Sequence, residues 1–391
     1  MSFARASILL ASALLTLATG CGDSSSGTGG GNEGGGGTGG AGGAGAEPID
    51  TPADEWTWVD FPGTSCIEGT ETGIAINIST ASPDVLIFFE GGNACFNELS
   101  CKVTANVDDG YDAGKWAKQG SDDVGRYPYL DRTNPDNPFK DFSMIYVPYC
   151  TGDLHMGERA DVEIDGTMRQ FHGYTNVSAY LERIVPTFPD ASRVIVTGIS
   201  AGGFGAALQY DHIASAFGSE VKATLIDDSG PPMADPFVPQ CLQQHLFDTW
   251  GYANTLPADC DGCSGAFVEP YVEYLLAKYP ERSMGLISSD NDGTISQLLG
   301  FGVDDCAQLN ELAPLPYPEG QYREGLEDLR DRVGADSRFR LYMIASDEHV
   351  WLDNTIGTVT VEDVALEDWL ADAVAEEPAW ASVADPVAEP L

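Results

Sequence analysis

Short β-rich, largely apolar runs recur through the middle of the chain, at residues 73–78, 85–89, 144–147, 194–197, 223–226, 284–288 and 339–344. Several of these runs show no polar alternation, which predicts strands covered on both faces. Between them, residues 176–184, 203–216, 268–277 and 322–333 place apolar side chains at helical spacing. Strand and helix in alternation predict an α/β fold, a mostly parallel central sheet with helices on both faces. No internal repeat is present to support a solenoid or a propeller.

The ends of the chain have a different texture. Residues 1–20, MSFARASILLASALLTLATG, carry Arg5, then an apolar core over 8–18, then small residues. This predicts a cleaved export signal, too short to span a membrane as a mature helix. Leu17-Ala-Thr-Gly-Cys21 has the form of a bacterial lipobox, so a lipid on Cys21 is expected, against a plain secretory signal that ends near a cysteine. Residues 21–50 are then the lipidated cysteine and a Gly-rich flexible tether, since Gly, Ser, Thr and Ala bury too little surface to order the chain. One catalytic-sized α/β domain is expected over 51–375, with a surface helix over 361–375 and a frayed acidic Pro/Ala-rich tail over 376–391. This layout predicts an exported protein, lipid-anchored at the outer membrane or cell surface.

Composition narrows the partners. At 391 residues and 43% hydrophobic content the chain can bury a large single core. Its 61 acidic against 19 basic residues give a net charge of −42, which excludes nucleic-acid binding or anionic-membrane binding through a basic face. Membrane association is expected only through the N-terminal lipid. Of nine cysteines, setting Cys21 aside leaves Cys66, Cys95, Cys101, Cys150, Cys241, Cys260, Cys263 and Cys306, an even set that predicts disulfides in an exported chain. Cys260-Asp-Gly-Cys263 has no second pair and no nearby histidine, so disulfide use is favoured over zinc or redox chemistry. No metal and no cofactor is expected.

Candidate chemistry centres on Gly198-Ile-Ser200-Ala-Gly202, with a strand-like run before it and a helical pattern after it. A serine in this setting is a nucleophile elbow, whose small neighbours let the backbone turn without a clash. The glycines do not match the spacing of a dinucleotide-binding loop. A serine hydroxyl needs a base, and the α/β-hydrolase chain order runs Ser, acid, His. Of five histidines, His155 and His172 precede Ser200, His212 lies in the helix leaving the elbow, and His245 sits in a helical pattern. His349 follows the last apolar run, where the base belongs. For the acid, Asp290 and Asp292 follow one strand and Asp227 and Asp228 another, and spacing does not choose between the pairs. Backbone donors for an oxyanion are expected from Ala201 and from Gly92 and Asn93 in Glu90-Gly-Gly-Asn-Ala-Cys95, directly after residues 85–89.

Phe88-Phe-Glu-Gly-Gly-Asn-Ala-Cys-Phe96, Val147-Pro-Tyr-Cys-Thr-Gly-Asp153, Gly198-Ile-Ser-Ala-Gly-Gly203, Asp228-Ser-Gly230 and His349 together resemble the pectinacetylesterase/Notum family of serine hydrolases. The resemblance covers roughly residues 60–355. It implies an α/β-hydrolase-like fold without a metal and a Ser200–Asp292–His349 triad, with Asp290 and Asp228 as alternative acids. It also implies short-range pairing of Cys95 with Cys101 and pairing of Cys66 with Cys150. The activity implied is ester hydrolysis through an acyl-serine, foremost the removal of O-acetyl groups from polysaccharide. A protein or lipid O-deacylase of the same mechanism is the alternative, and a catalytically silent surface glycan-binding protein is the competitor from another class. Asn93 departs from the aromatic residue common after Glu-Gly-Gly in the family, which bears on substrate more than on chemistry.

Overall fold

A strand pleats its side chains to alternate faces, so the five apolar residues of Val85–Phe89 require cover on both sides. The computed structural model describes residues 46–104, 110–265, 267–311, 313–334 and 338–386, and within it this run lies inside a nine-stranded sheet. The strands in chain order are β1 (Thr57–Phe61), β2 (Thr72–Asn77), β3 (Val85–Phe89), β4 (Ser143–Val147), β5 (Arg159–Ile164), β6 (Thr167–Phe171), β7 (Arg193–Ile199), β8 (Lys222–Asp228), β9 (Met284–Ser289), β10 (Phe339–Ile344), β11 (Thr360–Val361), β12 (Val364–Ala365) and β13 (Val383–Ala384). The large sheet runs β1-β2-β4-β3-β7-β8-β9-β10-β13, parallel from β4 onward, while β1 and β2 pair antiparallel at one edge. The pairs β5–β6 and β11–β12 form separate hairpins.

The helices are α1 (Ala113–Gly125), α2 (Gly173–Thr187), α3 (Ala201–Phe217), α4 (Gln240–Trp250), α5 (Val268–Lys278), α6 (Gly293–Gly300), the short α7 (Val303–Cys306), α8 (Gln321–Val333) and α9 (Leu366–Ala375). Alternate strand residues feed two apolar cores. Ile87, Val196 and Leu286 pack with residues of α2, α3, α5 and α8, whereas Leu86, Ile195 and Ile287 pack with residues of α1 and α9. The seven runs read from the sequence are β2, β3, β4, β7, β8, β9 and β10. Periodicity did not single out α1, whose amphipathic pattern includes Gly114, Gly120 and Gly125 and which is capped by the Asp112 carboxylate accepting from Lys115 N–H at 2.8 Å.

The C-terminal stretch corrects the expectation of a surface helix and a frayed tail. Leu366, Trp369, Leu370 and Ala373 of α9 are buried, and β13 pairs in parallel with β10 through Tyr342↔Val383 and Met343↔Ala384. The folded unit therefore continues through residue 386. Pro and acidic residues obscured a strand of two residues, yet it occupies hydrogen-bonding groups that an exposed edge would leave open. At the other end Ile49 is buried and its N–H donates to Thr187 Oγ1 at 2.7 Å, so the end of the expected tether lies against the domain. The signal segment, Cys21, the tether through residue 45 and residues 387–391 fall outside the described residues.

Candidate active site

Strand β7 ends at Ile199 and α3 begins at Ala201, which leaves Ser200 alone at the turn with φ 56° and ψ −123°. A positive φ strains any residue with a Cβ, and such outliers persist where the surroundings over-determine them. Here the neighbours do so. A Cβ at Gly202 would lie 2.1 Å from the Phe89 carbonyl oxygen, and one at Gly198 would lie 2.3 Å from that of Gly202. Ser200 N–H donates to the Asp228 carbonyl at 2.7 Å, which ties the turn to the neighbouring strand.

His349 reaches Ser200 from the loop after β10. Its Nε2 is 2.7 Å from Ser200 Oγ, and its Nδ1 is 2.7 Å from Asp292 Oδ2. Asp292 is fully buried at the N-terminus of α6, where Oδ1 accepts from Thr294 N–H and Ile295 N–H, both at 2.9 Å. One carboxylate oxygen thus caps a helix while the other meets the imidazole. With its proton on Nδ1 and donated to Asp292, the ring leaves Nε2 free to accept from the serine hydroxyl.

The other aspartates left open by spacing hold the frame. Asp290 takes Arg323 Nη1 at 2.6 Å and Ser346 N–H at 3.1 Å, which pins the start of the histidine loop. Asp228 Oδ2 accepts from Trp351 N–H at 2.8 Å and Leu352 N–H at 2.7 Å, just past His349. Its partner Ser229 donates to the His349 carbonyl. Asp227 accepts from Gly230 N–H at 2.8 Å. His155, His212 and His245 contact other groups: the Glu90 carbonyl, Gln209 and the Phe96 carbonyl respectively. His172 stands at the start of α2.

Gly92, Asn93, Ala201 and Ser200 line one cavity of about 230 Å³. Its remaining walls are chiefly apolar, with Phe96, Leu99, Leu154, Phe204, Leu298 and Phe301 among them. The loop that carries Gly92 is braced by residues that spacing did not single out. Tyr149 N–H donates to the Glu90 carboxylate at 2.9 Å, a Cβ at Gly92 would lie 2.2 Å from the Tyr149 ring, and His155 Nε2 meets the Glu90 carbonyl at 2.9 Å. Burial pushes the His155 pKa down to about 4, so this ring is a neutral prop. The signal for Tyr149 was the Val147–Asp153 motif, which brings it beside Glu90; His155 lies two residues past that motif. Disulfides join Cys66–Cys150, Cys95–Cys101, Cys241–Cys306 and Cys260–Cys263, using all eight cysteines after Cys21. Among the described residues no group of three or more His, Cys, Asp and Glu is placed to hold a metal ion.

A mostly parallel sheet with a serine on the turn between a central strand and its helix defines an α/β-hydrolase-like protein. The structure of the Wnt deacylase Notum from Drosophila has the same fold, with a TM-score of 0.60 at 17% identity over 84% of this chain and 96% of that one. The pectinacetylesterase family profile matches residues 57–267, more than half of the chain, and the protein belongs to that family of carboxylesterases and deacylases. Palmitoleoyl-protein carboxylesterase NOTUM of Schmidtea mediterranea is 29% identical over 161 residues, which are 39% of this chain and 29% of that protein. Pectin acetylesterase 5 of Arabidopsis thaliana is 25% identical over 173 residues, 43% of this chain and 39% of that protein. The chain thus matches well under half the length of these curated relatives.

Proposed function

We propose that this protein is a serine carboxylic-ester hydrolase that works through an acyl-Ser200 intermediate. The observation that supports it is the unbroken hydrogen-bond chain from Asp292 through His349 to Ser200 at the edge of an apolar cavity. His349 Nε2 takes the Ser200 proton as Oγ attacks the ester carbonyl carbon, and Asp292 stabilises the imidazolium. Backbone N–H groups of Gly92, Asn93 and Ala201 receive the oxyanion, each worth about 3 kcal/mol in hydrolases of this kind. The alcohol leaves with the proton from His349. Water, deprotonated by the same imidazole, then attacks the acyl-serine, releases the carboxylic acid and restores Ser200.

The acyl group occupies the cavity. Walls so largely apolar, around a space of about 230 Å³, favour an acyl chain of several carbons over acetyl alone. Deacetylation of polysaccharide is the second reading, favoured by the family to which the chain belongs. A silent glycan-binding role leaves the strained serine and its hydrogen-bonded partners without a purpose. Export and a lipid on Cys21, carried by residues 1–21, complete the proposal, and Cys21→Ser is expected to move the protein from the membrane fraction to the soluble one. Labelling of the protein by a fluorophosphonate, lost in Ser200→Ala, is the direct test. Absence of labelling together with no hydrolysis of p-nitrophenyl esters from acetate to decanoate sinks the enzyme reading.

A further inference from the structure

We propose that Phe204 is a plug that sets acyl-chain length: its side chain stands between the cavity at Ser200 and a second apolar cleft further along the same face of α3. The inference rests on the acyl-serine reading of Ser200.

Phe204 lines both spaces. The second is a narrow cleft of about 30 Å³ whose walls include Ala207, Leu208, Leu225, Phe267 and Tyr271. Ser200, Phe204, Ala207 and Leu208 stand at i, i+4, i+7 and i+8, so one helical stripe leads from the serine past the phenyl ring into the cleft. At 1.5 Å of rise per residue, Leu208 lies roughly 12 Å along the axis from Ser200, about the reach of a ten-carbon acyl chain.

Polar groups in the cleft wall do not oppose an apolar chain. The Tyr271 hydroxyl donates to the Leu208 carbonyl at 2.8 Å, and Asp227 accepts from Gly230 N–H at 2.8 Å. Burial drives the Asp227 carboxyl well above the usual carboxylate range, which favours its uncharged form. Removing the Phe204 ring would join the two spaces into a single apolar channel.

The test compares kcat/KM for p-nitrophenyl decanoate and butyrate in the full protein and in Phe204→Ala. The decanoate-to-butyrate ratio is expected to rise by roughly tenfold or more, the gain from burying about two further methylenes. Adding Ala207→Phe to that variant refills the cleft and should return the ratio to its starting value. An unchanged ratio in a Phe204→Ala protein that still labels with fluorophosphonate overturns the plug, and so does a rise that Ala207→Phe fails to reverse. If Phe204→Ala does not fold, Phe204→Leu carries the same test with an expected rise of roughly threefold, one methylene's worth. Turnover of short esters with an unmoved ratio refutes the plug alone, whereas an unlabelled wild-type protein inactive at every chain length refutes the hydrolase reading and the plug with it.

Discussion

Asp228 holds Ser200 from one side and the loop of His349 from the other. Its carbonyl accepts from Ser200 N–H at 2.7 Å, and its carboxylate accepts from Trp351 N–H at 2.8 Å and Leu352 N–H at 2.7 Å. The imidazole and the hydroxyl therefore meet across a rigid pair of supports, both on the last residue of β8. An acid placed this way orients backbone, while the acid on Nδ1 orients the ring.

That division separates three aspartates by kinetics. Asp292→Asn is expected to lower kcat about 10⁴-fold with KM little changed, because the amide favours the wrong tautomer of His349. Asp290→Asn keeps an oxygen for Ser346 N–H and should cost about tenfold or less, as should Asp228→Asn. Steady-state rates on one ester for the three variants provide the check, and a larger loss at Asp228 than at Asp292 would reverse the assignment.

Asp228 also predicts a pH dependence of stability. Burial outweighs the hydrogen bonds from Leu352 and Trp351 and pushes its pKa up to about 7. An unfolded aspartate titrates near about 4, so between these values the folded state binds the extra proton. This contribution is fully present below about pH 4 and is lost as pH rises through about 7. Asn imitates the protonated acid, so Asp228→Asn should gain stability relative to wild type between pH 4.5 and 7.5. Urea unfolding at several pH values across that window reads the trend, and a difference that stays flat speaks against the raised pKa.

Two disulfides should differ in what their loss does. Cys66–Cys150 spans 84 residues, and replacing both by alanine should cost about 4 kcal/mol of stability through the freed unfolded chain. Cys95–Cys101 closes a loop of 6 beside Gly92 and Asn93, so its removal should lower kcat more than it lowers the unfolding midpoint. Thermal unfolding and ester hydrolysis on both double variants distinguish the two outcomes.

Truncation after Ala375 should leave little folded protein. It removes Trp380, which packs on Trp369, the Ala381 carbonyl that accepts from Trp369 Nε1–H at 2.9 Å, and β13. It also removes Asp385, whose carboxylate accepts from Ala345 N–H at 3.2 Å at the base of the histidine loop. Soluble yield and melting temperature of the truncated chain, compared with one ending at residue 386, are the measurements. Equal stability of the two would show that the terminal strand contributes nothing.

Much of this architecture is legible in local sequence. Short β-rich runs, several of them continuously apolar, marked seven sheet strands, since a strand covered on both faces needs no polar alternation. The serine turn was legible for a similar reason: whether backbone can pass at Gly198 and Gly202 depends on a few neighbouring atoms. Asp227 and Asp228 were legible only as candidate acids, Tyr149 only as part of the Val147–Asp153 motif and His155 only as a histidine ahead of Ser200; what they hold was not, because their partners come from other strands and loops.

Chain pattern alone determined the fold class, the strained turn at Ser200 and the loop that supplies Gly92 and Asn93. Tertiary structure decided which aspartate meets His349, because Asp292 and His349 lie 57 residues apart and come together through the pairing of β9 with β10 and the loop contacts beyond it, Ser346 N–H to Asp290 among them. It also decided that the acidic tail completes the sheet and that Phe204 faces two cavities. Local sterics act within a turn of chain, whereas register, edge pairing and the sharing of a side chain between cavities arise only when distant segments pack together.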